Sequence, residues 1–200
     1  MQYRQFGKTG LSLSVFSLGT MRSLADQATF QATMIAALEA GMNHIETARG
    51  YGQSEVLLGQ VLQALGSRVR SQITVTTKIP PKPDAATMAA QLEESLSRLQ
   101  VEVIDCLAIH GINTLEHLAW VQAPDGCMAV VRAAQAAGRV RHIGFSTHGS
   151  QAVIEAAIAT GQFAFVNLHY YWSFPHHQAV VQQAHEQGMG VFIISPSDKG

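Results

Sequence analysis

Seven short β-branched, apolar runs alternate with longer stretches of helical periodicity, and this alternation limits the possible folds most. The runs are VFSLG (15–19), HIE (44–46), ITVTTK (73–78), VIDCLAIH (103–110), RHIGFS (141–146), FVNLHY (165–170) and VFIIS (191–195). Successive runs are separated by about the length of one crossover helix, which predicts parallel strands. They are apolar on both alternations, as strands covered on both faces are. Between them, Phe30, Met34, Ile35 and Leu38 define a helical face over 29–40 that Gly41 ends. Asp84 is placed to cap a helix carrying Met88, Leu92, Leu96 and Leu99, and Ser150 opens another. Pro175 begins a further helix through Val180 and Ala184. At the front, YRQF and LSLSV flank GKTG, which predicts a β-hairpin before the first βα unit.

An α/β repeat of this kind is either a doubly wound open sheet or a (β/α)8 barrel. No GxGxxG follows the first run, which disfavours the dinucleotide-binding open sheet. The expectation is therefore a TIM barrel over residues 1–200, preceded by the hairpin. A complete barrel needs about 250 residues, and this chain of 200 reaches SPSDKG directly after the seventh run. We expect about seven strands, with the last βα unit lacking and the first and seventh strands left as open edges. Apolar residues make up 47% and charged ones 14%, which disfavours disorder. Lys and Arg total 13 against 14 Asp and Glu, a net charge of -1, so neither a nucleic acid nor a membrane surface is an expected partner. No apolar run approaches the ~18 residues of a membrane span. MQYRQFGKTG does not resemble a signal peptide. Cys106 and Cys127 form no CxxC pair and read as free thiols in a reducing cytoplasm.

The runs end in polar residues: Glu46, Lys78, His110, Ser146, Asn167 and Ser195. In a parallel barrel these ends share one rim, where enzymes of this architecture place their chemistry. Any one of them is ordinary, because loops start at strand ends. A buried Lys and a buried Glu, however, require each other. Tyr51 lies five residues after Glu46, between Gly50 and Gly52, which allow its phenol to turn back into the mouth. If Tyr51, Lys78, His110 and Glu46 share a pocket, the ammonium favours the tyrosinate and lowers the phenol from its usual value near 10. The set then suits acid–base work on a carbonyl or alcohol. No GxSxG or Cys/His nucleophile is present, so the hydride must come from a nicotinamide.

The segments RQFGKTGLSLSVFSLGT, NHIETARGYGQSEVLLG, VTTK, CLAIHG and RVRHIGFSTH, in this order, resemble the aldo-keto reductases over essentially the whole chain. That family consists of (β/α)8 barrels using NADPH without a Rossmann domain. The resemblance implies a catalytic set of Tyr51 as general acid, Lys78 lowering its pKa, Glu46 pairing with Lys78, and His110 orienting the substrate carbonyl. It implies contacts to the nicotinamide carboxamide from Ser146, Thr147 and Asn167. It also implies a pyrophosphate loop containing Ser195 and Ser197. The cofactor implied is NADP, with NAD as the alternative, and the partner is a small carbonyl compound. Four departures stand out, the first being Ile194 or a neighbour where the family has an aromatic residue to stack under the nicotinamide. Glu46 replaces the family's aspartate, Thr147 replaces an asparagine, and Asn167 replaces a glutamine. HGINT and FIISPSDKG resemble a subgroup whose longer members carry a C-terminal iron–sulfur module; none of its Cys motifs occurs here, so no cluster is expected.

Two other classes compete with this reading. Glu46 and Thr147 motivate a nicotinamide-binding regulatory subunit with marginal catalysis. His110, His148 and His169 motivate a metal-dependent barrel hydrolase, but no HxH or HExxH spacing supports zinc, and no metal is expected. Trp120 and Trp172 fall in segments that read as loops, 113–127 and 170–175.

Overall fold

Tyr3–Gln5 (β1) and Ser12–Ser14 (β2) pair antiparallel around a 3-10 turn at Gly7–Thr9, so the predicted hairpin is present in the computed structural model. The structure describes residues 1–22 and 26–196. The hairpin closes the floor of the parallel sheet. Phe6 and Leu13 are buried against Cys106, Ala108 and Phe165, with the Phe6 and Phe165 rings 5.5 Å apart. Gly7 adopts φ +56°, and a Cβ there would lie 2.3 Å from the backbone nitrogen of Gly190. Only glycine meets both demands. The Lys8 N–H donates to the Gly188 carbonyl at 2.8 Å.

Seven parallel strands come next in chain order: Leu18–Gly19 (β3), His44–Glu46 (β4), Thr74–Ile79 (β5), Ile104–His110 (β6), Val140–Ser146 (β7), Phe165–Leu168 (β8) and Gly190–Ile193 (β9). Each pairs with its sequence neighbour, as in Ile45 opposite Val75, Thr77 opposite Leu107, and Phe145 opposite Val166. Among the described residues β3 and β9 form the two sheet edges. This is the curled, incomplete (β/α)8 sheet that the alternation predicts. The helices are Gln27–Glu39 (α1), Ser54–Arg70 (α2), Ala85–Leu99 (α3), Leu115–Gln122 (α4), Cys127–Ala136 (α5), Gln151–Ala159 (α6) and Gln178–Glu186 (α7).

One alternation of the strands explains the helical layer. Ile45, Val75, Ile79, Leu107, Ile109, Ile143, Phe145, Val166 and Leu168 share a core with Met34, Leu58, Met88, Leu92, Val131, Ile154 and Val180 of the helices. Each fully buried aliphatic side chain contributes roughly 1.5–3 kcal/mol to holding helix on sheet. The other alternation carries Phe165 against the hairpin and is otherwise largely small or polar: His44, Glu46, Thr76, Lys78, Cys106, Ala108, Ser146 and Asn167 are all buried. The runs are therefore apolar on the helix side and mixed on the inner side.

Several boundaries differ from the sequence reading for local reasons. Only Leu18–Gly19 of VFSLG is strand, because the Ser14 hydroxyl donates to the Phe16 carbonyl and bends the chain. Asp26 caps α1 by accepting the Thr29 N–H at 2.9 Å, so this helix starts earlier than expected. Asp84 caps α3 as anticipated, accepting from Thr87 at 2.7 Å. Trp120 lies on a helix, α4, rather than in a loop; Thr114 caps it by accepting the His117 N–H at 3.1 Å. Helix α7 begins at Gln178, three residues beyond Pro175. Trp172, in the segment before α7, is 99% exposed.

Candidate active site

The ends of β4, β5 and β6 stand side by side, and the register decides what meets there. Glu46 pairs with Thr76, Lys78 with Ala108, and His110 with Ser146. Lys78 is 1% exposed, a placement its charge tolerates only with partners. It has three. The Nζ donates to the Tyr51 hydroxyl at 2.9 Å and to the Thr47 carbonyl at 3.0 Å, and it touches the Glu46 carboxylate. An ammonium has three N–H groups, and all are used. The longer glutamate side chain therefore reaches the lysine. Tyr51 sits on the loop between β4 and α2. Gly52 turns that loop with φ +57°, while the Tyr51 N–H donates to the Ala48 carbonyl. The Tyr51 and His110 rings meet edge to face, 5.8 Å between centroids. Glu46, Tyr51, Lys78 and His110 thus form one cluster.

Burial dominates the electrostatics. It pushes the Lys78 ammonium down to about 7, and the touching Glu46 carboxylate works against this by favouring the charged form. Burial raises the Tyr51 phenol, the reverse of the expected lowering by the lysine, since it disfavours the tyrosinate. Burial, then Lys78, then His148 push the His110 imidazole down to about 4. At neutral pH the phenol holds its proton and the imidazole is uncharged. This arrangement can donate a proton from Tyr51 and a neutral hydrogen bond from His110 to the same oxygen.

Beside His110, Ser146 and Asn167 are register partners on β7 and β8. The Ser146 hydroxyl accepts the Gly111 N–H at 3.1 Å, leaving its own O–H to donate. Asn167 is 1% exposed, and neither its Oδ1 nor its Nδ2 has a hydrogen-bond partner among the described residues. A buried amide with both ends open fits a primary carboxamide, such as that of a nicotinamide. Thr147 behaves differently from the expectation. It is fully buried, its hydroxyl donates to the Ile112 carbonyl at 2.7 Å, and it accepts the Gly149 N–H at 2.9 Å. It ties the loop after β7 to the loop after β6, and its proton is not offered to a ligand. Ser195 lies just beyond β9 with φ +50°. Ser197 lies outside the described residues. His148 and His169 bond each other, Nδ1 to Nε2 at 3.1 Å. No three His, Cys, Asp or Glu side chains among the described residues are grouped to hold a metal ion.

Sequence reasoning misses His44, which is 1% exposed beneath Glu46. Its Nδ1 is 2.7 Å from the Ser17 hydroxyl and its Nε2 is 2.8 Å from that of Thr76. Burial, then Lys78, push its imidazole from 6.5 to about 4. The unfolded chain therefore binds a proton that the folded one refuses between these values. Stability is fully present above pH 6.5 and falls as the pH drops toward 4, by about 3 kcal/mol from this group. Denaturant unfolding at pH 7 and pH 4.5 should show a smaller acid loss for His44→Gln than for the wild type. Equal losses would refute this origin.

The Aldo/keto reductase family model matches residues 15–200. The chain belongs to the aldo/keto reductase family. It is 33% identical over 162 residues to the 6-dehydroglucose reductase of Novosphingobium aromaticivorans, covering 72% of this chain and 51% of that protein. It is 29% identical over 161 residues to the aldo-keto reductase YhdN of Bacillus subtilis, covering 73% and 47% respectively. The chain thus spans about half the length of these curated relatives. The holo form of aldo-keto reductase AKR11C1 from Bacillus halodurans superposes with a TM-score of 0.85 over all of this chain and 68% of its own, at 24% identity, which is a likeness of fold. Members of this family use nicotinamide cofactors. No helix among the described residues is long and apolar enough to cross a membrane.

Proposed function

We propose that this aldo/keto reductase reduces an aldehyde or ketone to the alcohol at the expense of NADPH, with Tyr51 as proton donor. The observation that carries the reading is the 2.9 Å bond from Lys78 to the Tyr51 hydroxyl, with Glu46 and His110 in contact with the same pair. A nicotinamide, when bound, supplies the hydride. Ser146 and Asn167 hold its carboxamide. Tyr51 gives its hydroxyl proton to the carbonyl oxygen as that oxygen becomes an alkoxide. Lys78, already donating to the phenol oxygen, stabilises the tyrosinate left behind. Glu46 holds Lys78 in place, and His110 aims the carbonyl through a neutral N–H. NADPH rather than NADH is the family's usual reductant and the one we assign.

The test is oxidation of NADPH, with NADH in parallel, against a panel of aldehydes, ketones and oxidised sugars. The name of the Novosphingobium relative makes a dehydro-sugar one member of that panel. Carbonyl-dependent oxidation is expected. Tight nucleotide binding without turnover on any member would overturn the catalytic reading in favour of a regulatory subunit.

A further inference from the structure

We propose that Ser54 is a positioning residue whose hydroxyl, chained between Thr47 and Thr20, sets Tyr51 against Lys78. The proposal rests on the reductase reading of this site. Tyr51 stands on a loop, and loops are the mobile parts of this architecture. A proton donor must nevertheless be held within a fraction of an ångström.

Ser54, the first residue of α2, is fully buried, and its N–H donates to the Tyr51 carbonyl at 3.0 Å. Its Oγ lies 2.6 Å from the Thr20 Oγ1 and 2.9 Å from the Thr47 Oγ1. Thr20 in turn donates to the Glu46 carbonyl at 3.0 Å. Each hydroxyl has one proton, so one assignment satisfies the whole chain. Thr47 donates to Ser54, Ser54 donates to Thr20, and Thr20 donates to the Glu46 carbonyl. The ends of this chain meet the catalytic groups. The Thr47 carbonyl accepts from Lys78, and the Glu46 backbone carries the carboxylate that touches Lys78.

The neighbouring side chain makes a second grip on the same helix end. Glu55, 1% exposed, accepts the Thr77 hydroxyl proton at 2.6 Å, one residue before Lys78. Two consecutive residues of α2 thus fasten the tyrosine loop to the residues just after β3 and β4 and to β5. A buried, fully satisfied hydroxyl chain has a single low-energy arrangement, and that gives the loop its register.

The test uses Ser54→Ala, Thr47→Val and Thr47→Ser with two readouts. The first is steady-state reduction of the best carbonyl substrate. The second is the phenol titration of Tyr51 by ultraviolet difference against the matching Tyr51→Phe protein. Ser54→Ala should lower kcat about tenfold to a hundredfold while KM changes by less than about twofold. The Tyr51 titration should move toward that of an ordinary phenol. Thr47→Val should behave like Ser54→Ala, and Thr47→Ser, which keeps the hydroxyl, should restore both readouts. If Ser54→Ala does not fold, the Thr47 pair decides alone. Unchanged kcat and unchanged titration in the hydroxyl-free variants overturn the proposal. If the wild type turns over no carbonyl, the reductase reading fails, and the titration still decides whether Ser54 positions Tyr51.

Discussion

Tyr51→Phe should lower kcat for carbonyl reduction by about 10²–10⁴-fold, the usual contribution of a placed general acid, while nicotinamide binding stays unchanged. The substitution removes one oxygen and keeps the ring that meets His110 edge to face. Lys78 keeps the Thr47 carbonyl and the Glu46 carboxylate, so the fold loses about one hydrogen bond, roughly 1 kcal/mol. His110 is the nearest substitute donor, but its imidazole, pushed down to about 4, is uncharged at neutral pH and gives up a proton poorly. Turnover and nucleotide affinity, the latter by tryptophan fluorescence, check this directly. Full activity in the variant would remove Tyr51 from the mechanism.

Lys78→Met should destabilise the protein by about 3–5 kcal/mol, the range for breaking a buried ion pair by deleting one partner. Methionine fills similar space, so the loss is electrostatic. Glu46, only 6% exposed, would be left buried with its cationic partner gone. The prediction is therefore about a pair, and a second variant isolates it. Glu46→Gln combined with Lys78→Met should recover at least half of the lost stability, because a neutral amide is far less costly to bury. Denaturant midpoints with unchanged m-values provide the measurement. A double variant no more stable than Lys78→Met would show that the loss is steric. Neither variant should reduce a carbonyl, since the tyrosinate would lack its cation.

Periodicity makes the sheet legible in the sequence, and burial hides much of the site. The strand–helix alternation specifies parallel strands. The polar strand ends point to Glu46, Lys78 and His110, because a two-residue repeat fixes which residue terminates a strand on the inner face. Lys78 and Glu46 can be paired on paper, since neither survives burial alone. Trp120 is misplaced in the sequence because GINTLEHLAW looks loop-like until Thr114 is recognised as a cap for a two-turn helix. The role of Thr147 cannot be read, as nothing in its identity says that Ile112 and Gly149 occupy its hydroxyl. His44 and Ser54 escape notice for the same reason: a polar residue among apolar ones shows neither its depth nor its partners. The direction of the Tyr51 shift depends on depth as well, and the sequence supplies only the neighbouring charge.

The docking of the hairpin beneath the sheet also constrains how the molecule is made. Lys8 bonds to Gly188, and Gly7 rests on Gly190. The hairpin therefore leaves the ribosome well before its seat, which is made only after six other strands of the sheet. Phe6 and Leu13 meet Cys106, Ala108 and Phe165 before that last strand is made, so the hairpin's apolar contacts precede its backbone bond to Gly188. Assembly of the base is in this sense set by contacts far apart in the chain.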